Sequence, residues 1–323
     1  MVGEEAAPMR IASTTTDGRC SGLRRRFSGL ETRMRAALLR QAVHRGRPAA
    51  VIDANLLRKA AVVEARQARF RSHGEQLVIA DAVWNEVVAN DTWESTLRAS
   101  FSHLSREPEA LVASWSVRAM IAGEESTGEP AREVVHAPMT AFLRQLVVNV
   151  EGGASETMAG LREAIRKHGH VDKRALAVLR KEATQKLVEL GTQNIEPSRL
   201  KSVKTAMQSG DRVAFLDLVA EAFEPAKVTG ALVRQQVDPQ IADRLTGAPS
   251  VTVVHNLFLA HMGLEWTCMP GIKNAKLGRV HNDYVDVEYA VVAWACGGEY
   301  VTEDKRAWRR FDEVLGLCRR IWP

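Results

Sequence analysis

Two carboxylates near the end of the 323-residue chain, Asp286 and Asp304, stand eighteen residues apart with the apolar run Val287 to Ala295 and the pair Gly297-Gly298 between them. The run reads as a helix that opens on Asp286, the glycines turn the chain, and Tyr300-Val301 forms a short strand ending in Thr302-Glu303-Asp304. A helix and a strand that run antiparallel bring their acids into one crevice. Far upstream, Asp53 closes the apolar run Val51-Ile52, and Glu86 falls in the first turns of a later helix. Four carboxylates converging in a partly desolvated cleft cannot all stay ionised without a cation. An all-oxygen donor set suits a hard divalent ion, Mg²⁺ or Mn²⁺. Taken singly, Asp53, Asp286 and Asp304 each have a simpler reading as helix N-caps, and Glu86 as an exposed first-turn acid. The conjunction of the four is what points to an ion. Asp283, three residues before Asp286, reads first as a cap and second as an auxiliary ligand.

The elements that must position these acids follow from the hydrophobic pattern. Pro48 to Ile52 reads as a buried strand ending in Asp53, followed by a helix through about Arg71. Gly74 breaks that helix, Gln76 to Ala80 forms a second strand, and the next helix carries Trp84, Glu86, Val87 and Val88. Strands alternating with helices predict an α/β protein with a parallel sheet, in which ligands bind outside the carboxyl ends of the strands. From Trp93 to about Pro249 the pattern is almost wholly helical, including Glu109 to Ile121 and a long run from Ser155 to Leu190. No fixed period marks it as a repeat array. The α/β character returns with a helix over Val251 to Met262, a strand near Leu264 to Met269, a helix over Lys305 to Gly316 with Trp308 inward, and a last edge strand at Cys318 to Trp322. The organisation expected is a basic mobile arm and helix over 1–48, an α/β core over 49–92 and 250–323, and an all-helical insertion over 93–249.

Val51-Ile52-Asp53-Ala54-Asn55, the Glu86 of Val83-Trp84-Asn85-Glu86-Val87-Val88, and Asp286 followed by Val301-Thr302-Glu303-Asp304 together resemble the PIN-domain nucleases, a family that includes the VapC-type toxins of toxin-antitoxin pairs. The resemblance implies an αβα sandwich around a central parallel sheet, a Mg²⁺ or Mn²⁺ site, and cleavage of RNA, with DNA as the second choice of substrate. It implies metal ligation by Asp53, Glu86, Asp286 and Asp304, with Asn55 and Thr302 hydrogen-bonding within the acidic site. The interval between Glu86 and Asp286 is far longer than in the small toxins and is filled by the helical insertion. A metal held this way lowers the pKa of water and offsets charge on the scissile phosphate, so hydrolysis leaves 5′-phosphate and 3′-hydroxyl ends. The role expected is a toxin or defence ribonuclease. The alternatives are a structure-specific DNA nuclease and a non-catalytic protein whose helical region recruits a partner.

Lys305, Arg306, Arg309 and Arg310 follow Asp304 directly and read either as grips for the phosphates that flank the cut or as a solvated helix face. The net charge of +5 is concentrated at the start. Residues 1–48 hold ten arginines, no lysine and four acids, a surplus of +6 that leaves the rest of the chain near −1. This leader lacks the apolar core of a secretory signal, and Glu4 and Glu5 argue against an organelle transit peptide. It reads as a flexible arm that meets phosphate, or as a solvated tail. His255, His261 and Cys268 do not align on one helical face and do not form a convincing soft-metal site. Cys20, Cys268, Cys296 and Cys318 are too scattered for a disulfide framework or a zinc knuckle, which fits a reducing cytoplasm. No run of about 18 apolar residues marks a membrane span. The partners expected are therefore nucleic acid, a protein or antitoxin seated on the helical insertion, and a second copy of the chain.

Overall fold

The computed structural model describes residues 48–87, 92–150, 156–168, 195–268 and 277–322. The arm and helix expected over 1–48, and most of the run from Ser155 to Leu190, lie outside these residues.

The strands β1 (Ala49–Ile52), β2 (Gln76–Ile79), β3 (Leu111–Ala113) and β4 (Glu299–Val301) form one parallel sheet in the order β3-β2-β1-β4. Val51 sits opposite Val78 on one side and Tyr300 on the other. The residues of β2 and β3 are all buried, as is most of β1. Continuous apolar runs are what a covered parallel sheet requires. The chain steps outward from β1 to β2 to β3, then crosses to the far side of β1 to lay down β4. That reversal places a topological switch point between the carboxyl ends of β1 and β4.

Between β1 and β2 come α1 (Ala54–Leu57) and α2 (Ala60–His73); between β2 and β3 come α3 (Ala82–Val87) and α4 (Trp93–Phe101). After β3 the chain forms α5 (Val117–Thr127), α6 (Ala137–Asn149) and α7 (Glu156–His168). Next are α8 (Pro197–Gln208), α9 (Arg212–Ala222), α10 (Pro225–Arg234) and α11 (Pro239–Thr246), then α12 (Val251–Cys268), α13 (Leu277–Ala295), β4 and α14 (Lys305–Ile321). The buried apolar side chains form one cluster that runs from Val51 and Val78 in the sheet to Phe215, Leu232 and Leu245 in the helical segment. None of the described helices is long and apolar enough to cross a membrane.

Several elements differ from the sequence reading. Glu109 to Ile121 is not one helix: Pro108–Ala110 makes a 3-10 turn, β3 follows, and α5 starts at Val117 with Ser116 as its N-cap. The sheet therefore takes its outer strand from the segment read as all-helical. Leu264 to Met269 is not a strand, because α12 continues to Cys268 with fifteen of its eighteen residues buried, and a helix buried all round shows no periodicity to read. Cys318 to Trp322 continues α14 instead of making an edge strand. Trp308 points outward and is 52% exposed. The helix expected to open on Asp286 opens at Leu277, which places Asp286 well inside α13.

Two interactions fix the elements around the switch point. Arg66 on α2 forks across Glu299 of β4, with both N–H···O distances 2.7 Å, holding that strand to the helix that follows β1. Glu124 of α5 is 1% exposed and accepts from Val251 N, Thr252 N and Thr252 Oγ1 at 2.9, 2.7 and 2.6 Å. A carboxylate there meets the unsatisfied donors and the positive end of α12, which fixes where that helix begins.

Candidate active site at the switch point

Asp53 ends β1 and is the N-cap of α1. Its backbone N–H extends the ladder to Val301 O at 3.1 Å, its Oδ1 accepts from Asn55 N at 2.9 Å, and its Oδ2 accepts from Thr302 Oγ1 at 3.1 Å. The carboxylate is 6% exposed. On the neighbouring strand, Thr302 Oγ1 also accepts from Asp304 N at 3.1 Å, and Asp304 Oδ1 caps α14 by accepting from Arg306 N and Ala307 N at 2.7 and 3.1 Å. Asn55 thus serves Asp53 through its backbone, and its side chain is exposed.

Asp286 enters from α13, which packs on both β1 and β4. Burial pushes its carboxyl up to about 7, and the nearby carboxylates of Asp53, Asp283 and Asp304 push in the same direction against Arg310. Glu86 on α3 is raised by burial and by Asp53, while a hydrogen bond from Tyr289 Oη of α13 opposes the rise. The structure thus brings Asp53, Asp286 and Asp304 into one electrostatic neighbourhood, with Glu86 joined to it through Asp53.

Two tyrosines complete the crevice, and neither is marked by a pattern in the sequence. Tyr289 and Tyr300 are 1% and 2% exposed, and burial beside the carboxylates raises both hydroxyls well above their ordinary range. The Tyr300 hydroxyl is buried beside Thr302 and senses the charges of Asp286 and Asp53.

Asp283 lies inside α13 and is therefore not its N-cap. Its Oδ2 accepts from Trp266 Nε1 at 2.8 Å and lies 3.1 Å from Arg306 Nη2. The arginines that follow Asp304 are committed in the same way. Glu265 of α12, fully buried, takes Arg309 Nη2 at 2.8 Å and Arg212 Nη2 at 3.2 Å on one oxygen, and Arg310 Nη2 at 3.1 Å and Arg306 Nε at 3.4 Å on the other. Arg306, Arg309 and Arg310 therefore anchor α14 to α12 instead of standing free for phosphate, and Lys305 alone of the four is exposed without an ion pair among the described residues. Burial by itself would raise Glu265, but Arg310, His261, Arg306 and Arg212 outweigh it and hold the carboxyl below its ordinary range. His261 Nε2 and Arg212 in turn meet Glu313, at 2.8 and 2.6 Å. The signal for this network lay in the sequence, where Glu265 is the one acid inside the apolar run Leu257 to Trp266.

No family model, curated protein or solved structure matches the chain.

The all-oxygen donor chemistry of Asp53, Asp286 and Asp304 suits a hard cation, since the carboxylates of Asp53 and Asp304 both act on that of Asp286. The spacing does not yet form a coordination sphere. Among the described residues no three His, Cys, Asp or Glu side chains are close enough to hold one ion. Asp53 accepts a hydrogen bond on each oxygen, from Asn55 N and Thr302 Oγ1, whereas Asp304 caps its helix through Oδ1.

Proposed function

We propose that the protein is a Mg²⁺- or Mn²⁺-dependent endonuclease that hydrolyses phosphodiester bonds in RNA. The observation that carries this reading is the bridging of Asp53 and Asp304 through Thr302 at the switch point of a parallel sheet, with α13, which bears Asp286, packed on both β1 and β4. In this reading Asp53, Asp286 and Asp304 hold the ion, Glu86 stands at its edge, Thr302 orients Asp53, and Tyr289 orients Glu86. A bound ion supplies Lewis acidity toward the scissile phosphate. The order of the acids resembles that of the PIN nucleases, which supports RNA ahead of DNA and a toxin or defence role.

A second reading is a non-catalytic binding protein, favoured by the capping bonds that already satisfy Asp53 and Asp304. Purified protein incubated with single-stranded RNA and Mn²⁺ separates the two. Cleavage to 5′-phosphate ends, lost in Asp53→Asn and Asp286→Asn, supports the nuclease. Absence of cleavage of both RNA and DNA, together with a melting temperature unmoved by Mn²⁺, overturns it.

A further inference from the structure

Trp308 departs from the packing rule that the other tryptophans obey. Trp84 packs edge-on against Phe101 at 5.6 Å, Trp266 lies under the Arg306 guanidinium at 4.7 Å, and Trp322 donates to Thr246 O at 3.1 Å. Trp308 is 52% exposed, and its indole makes no hydrogen bond or ring contact among the described residues. Its position is tied to the crevice, because its backbone N–H donates to Asp304 O at 2.9 Å. Four residues of helical rise put the backbone of Trp308 about 6 Å along α14 from that of Asp304. The opposite side of the helix, with Ala307, Phe311 and Val314, is buried.

We propose that Trp308 is a stacking platform for an unpaired base of single-stranded RNA whose neighbouring phosphate lies in the acid crevice. This inference rests on the nuclease reading. Its surroundings argue for a base over a protein partner: the exposed neighbours Lys305, Arg309 and Asp312 are charged, and among the described residues the other exposed large apolar side chains, Val148, Val213 and Val233, lie on three other helices. A lone aromatic ring among charged side chains is poor material for the dry centre of a protein interface. It is well suited to a nucleotide, whose base offers a π-face and whose phosphate can meet the Lys305 ammonium. A duplex keeps the faces of its bases inside the stack, so the platform selects single strands.

The test uses the full chain carrying Asp53→Asn, without divalent metal, and a short oligouridylate against an RNA duplex of the same length. The oligouridylate is expected to bind more tightly than the duplex and to quench tryptophan emission. Adding Trp308→Ala should weaken single-strand binding roughly 5- to 150-fold and leave duplex binding unchanged, with Trp308→Phe in between. Equal oligouridylate binding with and without Trp308→Ala overturns the platform while leaving the nuclease reading intact. Emission that changes with protein concentration alone assigns the face to self-association and also overturns it. Failure of the oligouridylate to bind at all overturns the platform, and the nuclease reading is then decided by the cleavage assay with Mn²⁺.

Discussion

Asp53 and Thr302 leave adjacent parallel strands at the same level, and the Thr302 hydroxyl joins them by donating to Asp53 Oδ2 at 3.1 Å while accepting from Asp304 N at 3.1 Å. One hydroxyl thus orients two of the acids. Thr302→Val keeps the shape and removes both bonds. It is expected to cost about 1 kcal/mol of stability in urea unfolding and about 10- to 100-fold in Mn²⁺ affinity. Thr302→Ser should restore most of the affinity, and an unchanged affinity in the valine variant would exclude the orienting role.

Asp286 gives the site a predictable pH dependence. Burial first, then Asp53, Asp283 and Asp304, raise its carboxyl from 3.8 to about 7 in the folded state. A group whose folded pKa is raised contributes stability that is complete below its unfolded pKa and is lost as pH climbs through the folded value. The contribution of Asp286 is therefore present near pH 4, erodes between pH 4 and 7, and is gone above. In chelator, Asp286→Asn should melt higher relative to the unsubstituted protein at pH 8 than at pH 5. Because the ion must displace the carboxyl proton, Mn²⁺ should stabilise the unsubstituted protein more at pH 8 than at pH 6. Parallel melting curves for the two proteins across this range would refute the assignment.

Glu265 is surrounded by Arg212, Arg306, Arg309 and Arg310. Glu265→Gln keeps the volume but leaves buried guanidinium groups uncompensated, and removing one partner of a buried ion network costs about 3–5 kcal/mol. The unfolding free energy in urea should fall by that order. A change within about 0.5 kcal/mol, the usual range for surface substitutions, would mean that water reaches the arginines.

Gly298 has no room for a side chain: a Cβ built on it meets Ala49 O at 2.6 Å. The obstacle is backbone of β1 and cannot rotate away. Gly298→Ala should displace β4 and destabilise the protein by about 1–3 kcal/mol, with loss of Mn²⁺ binding because Thr302 and Asp304 move with the strand. Gly316→Ala, where a Cβ meets nothing within 4 Å, is the matched control and should be neutral or better in thermal melts.

The strands bearing Asp53 and Asp304 were legible because their signals are local: short apolar runs, each closed by a capping acid. The Gly297-Gly298 turn was legible for the same reason, with Gly297 at φ +60° and Gly298 at the close approach. The extent of α13 was not, because the Asn282-Asp283 pair imitates a helix start while Asp283 in fact answers Trp266 across to α12. β3 was hidden because three residues are too few to show alternation, and its burial comes from β2 and α6, not from its own pattern. The arginines after Asp304 carried no local sign of commitment, since their partner, Glu265, is more than forty residues away. The tyrosines of the crevice became visible only when α13 and β4 were folded onto β1.

The hydroxyl that joins Asp53 to the neighbouring strand β4 spans 249 residues of sequence. Chains are made from the amino end and tend to fold in that order. While the chain is being synthesised, β1, β2 and β3 can pair, yet the slot beside β1 stays open and Asp53 waits without Asp286, Thr302 or Asp304. The acids assemble only once Thr302 and Asp304 have been made, so a product that stops before Asp286 carries Asp53 and Glu86 without their later partners.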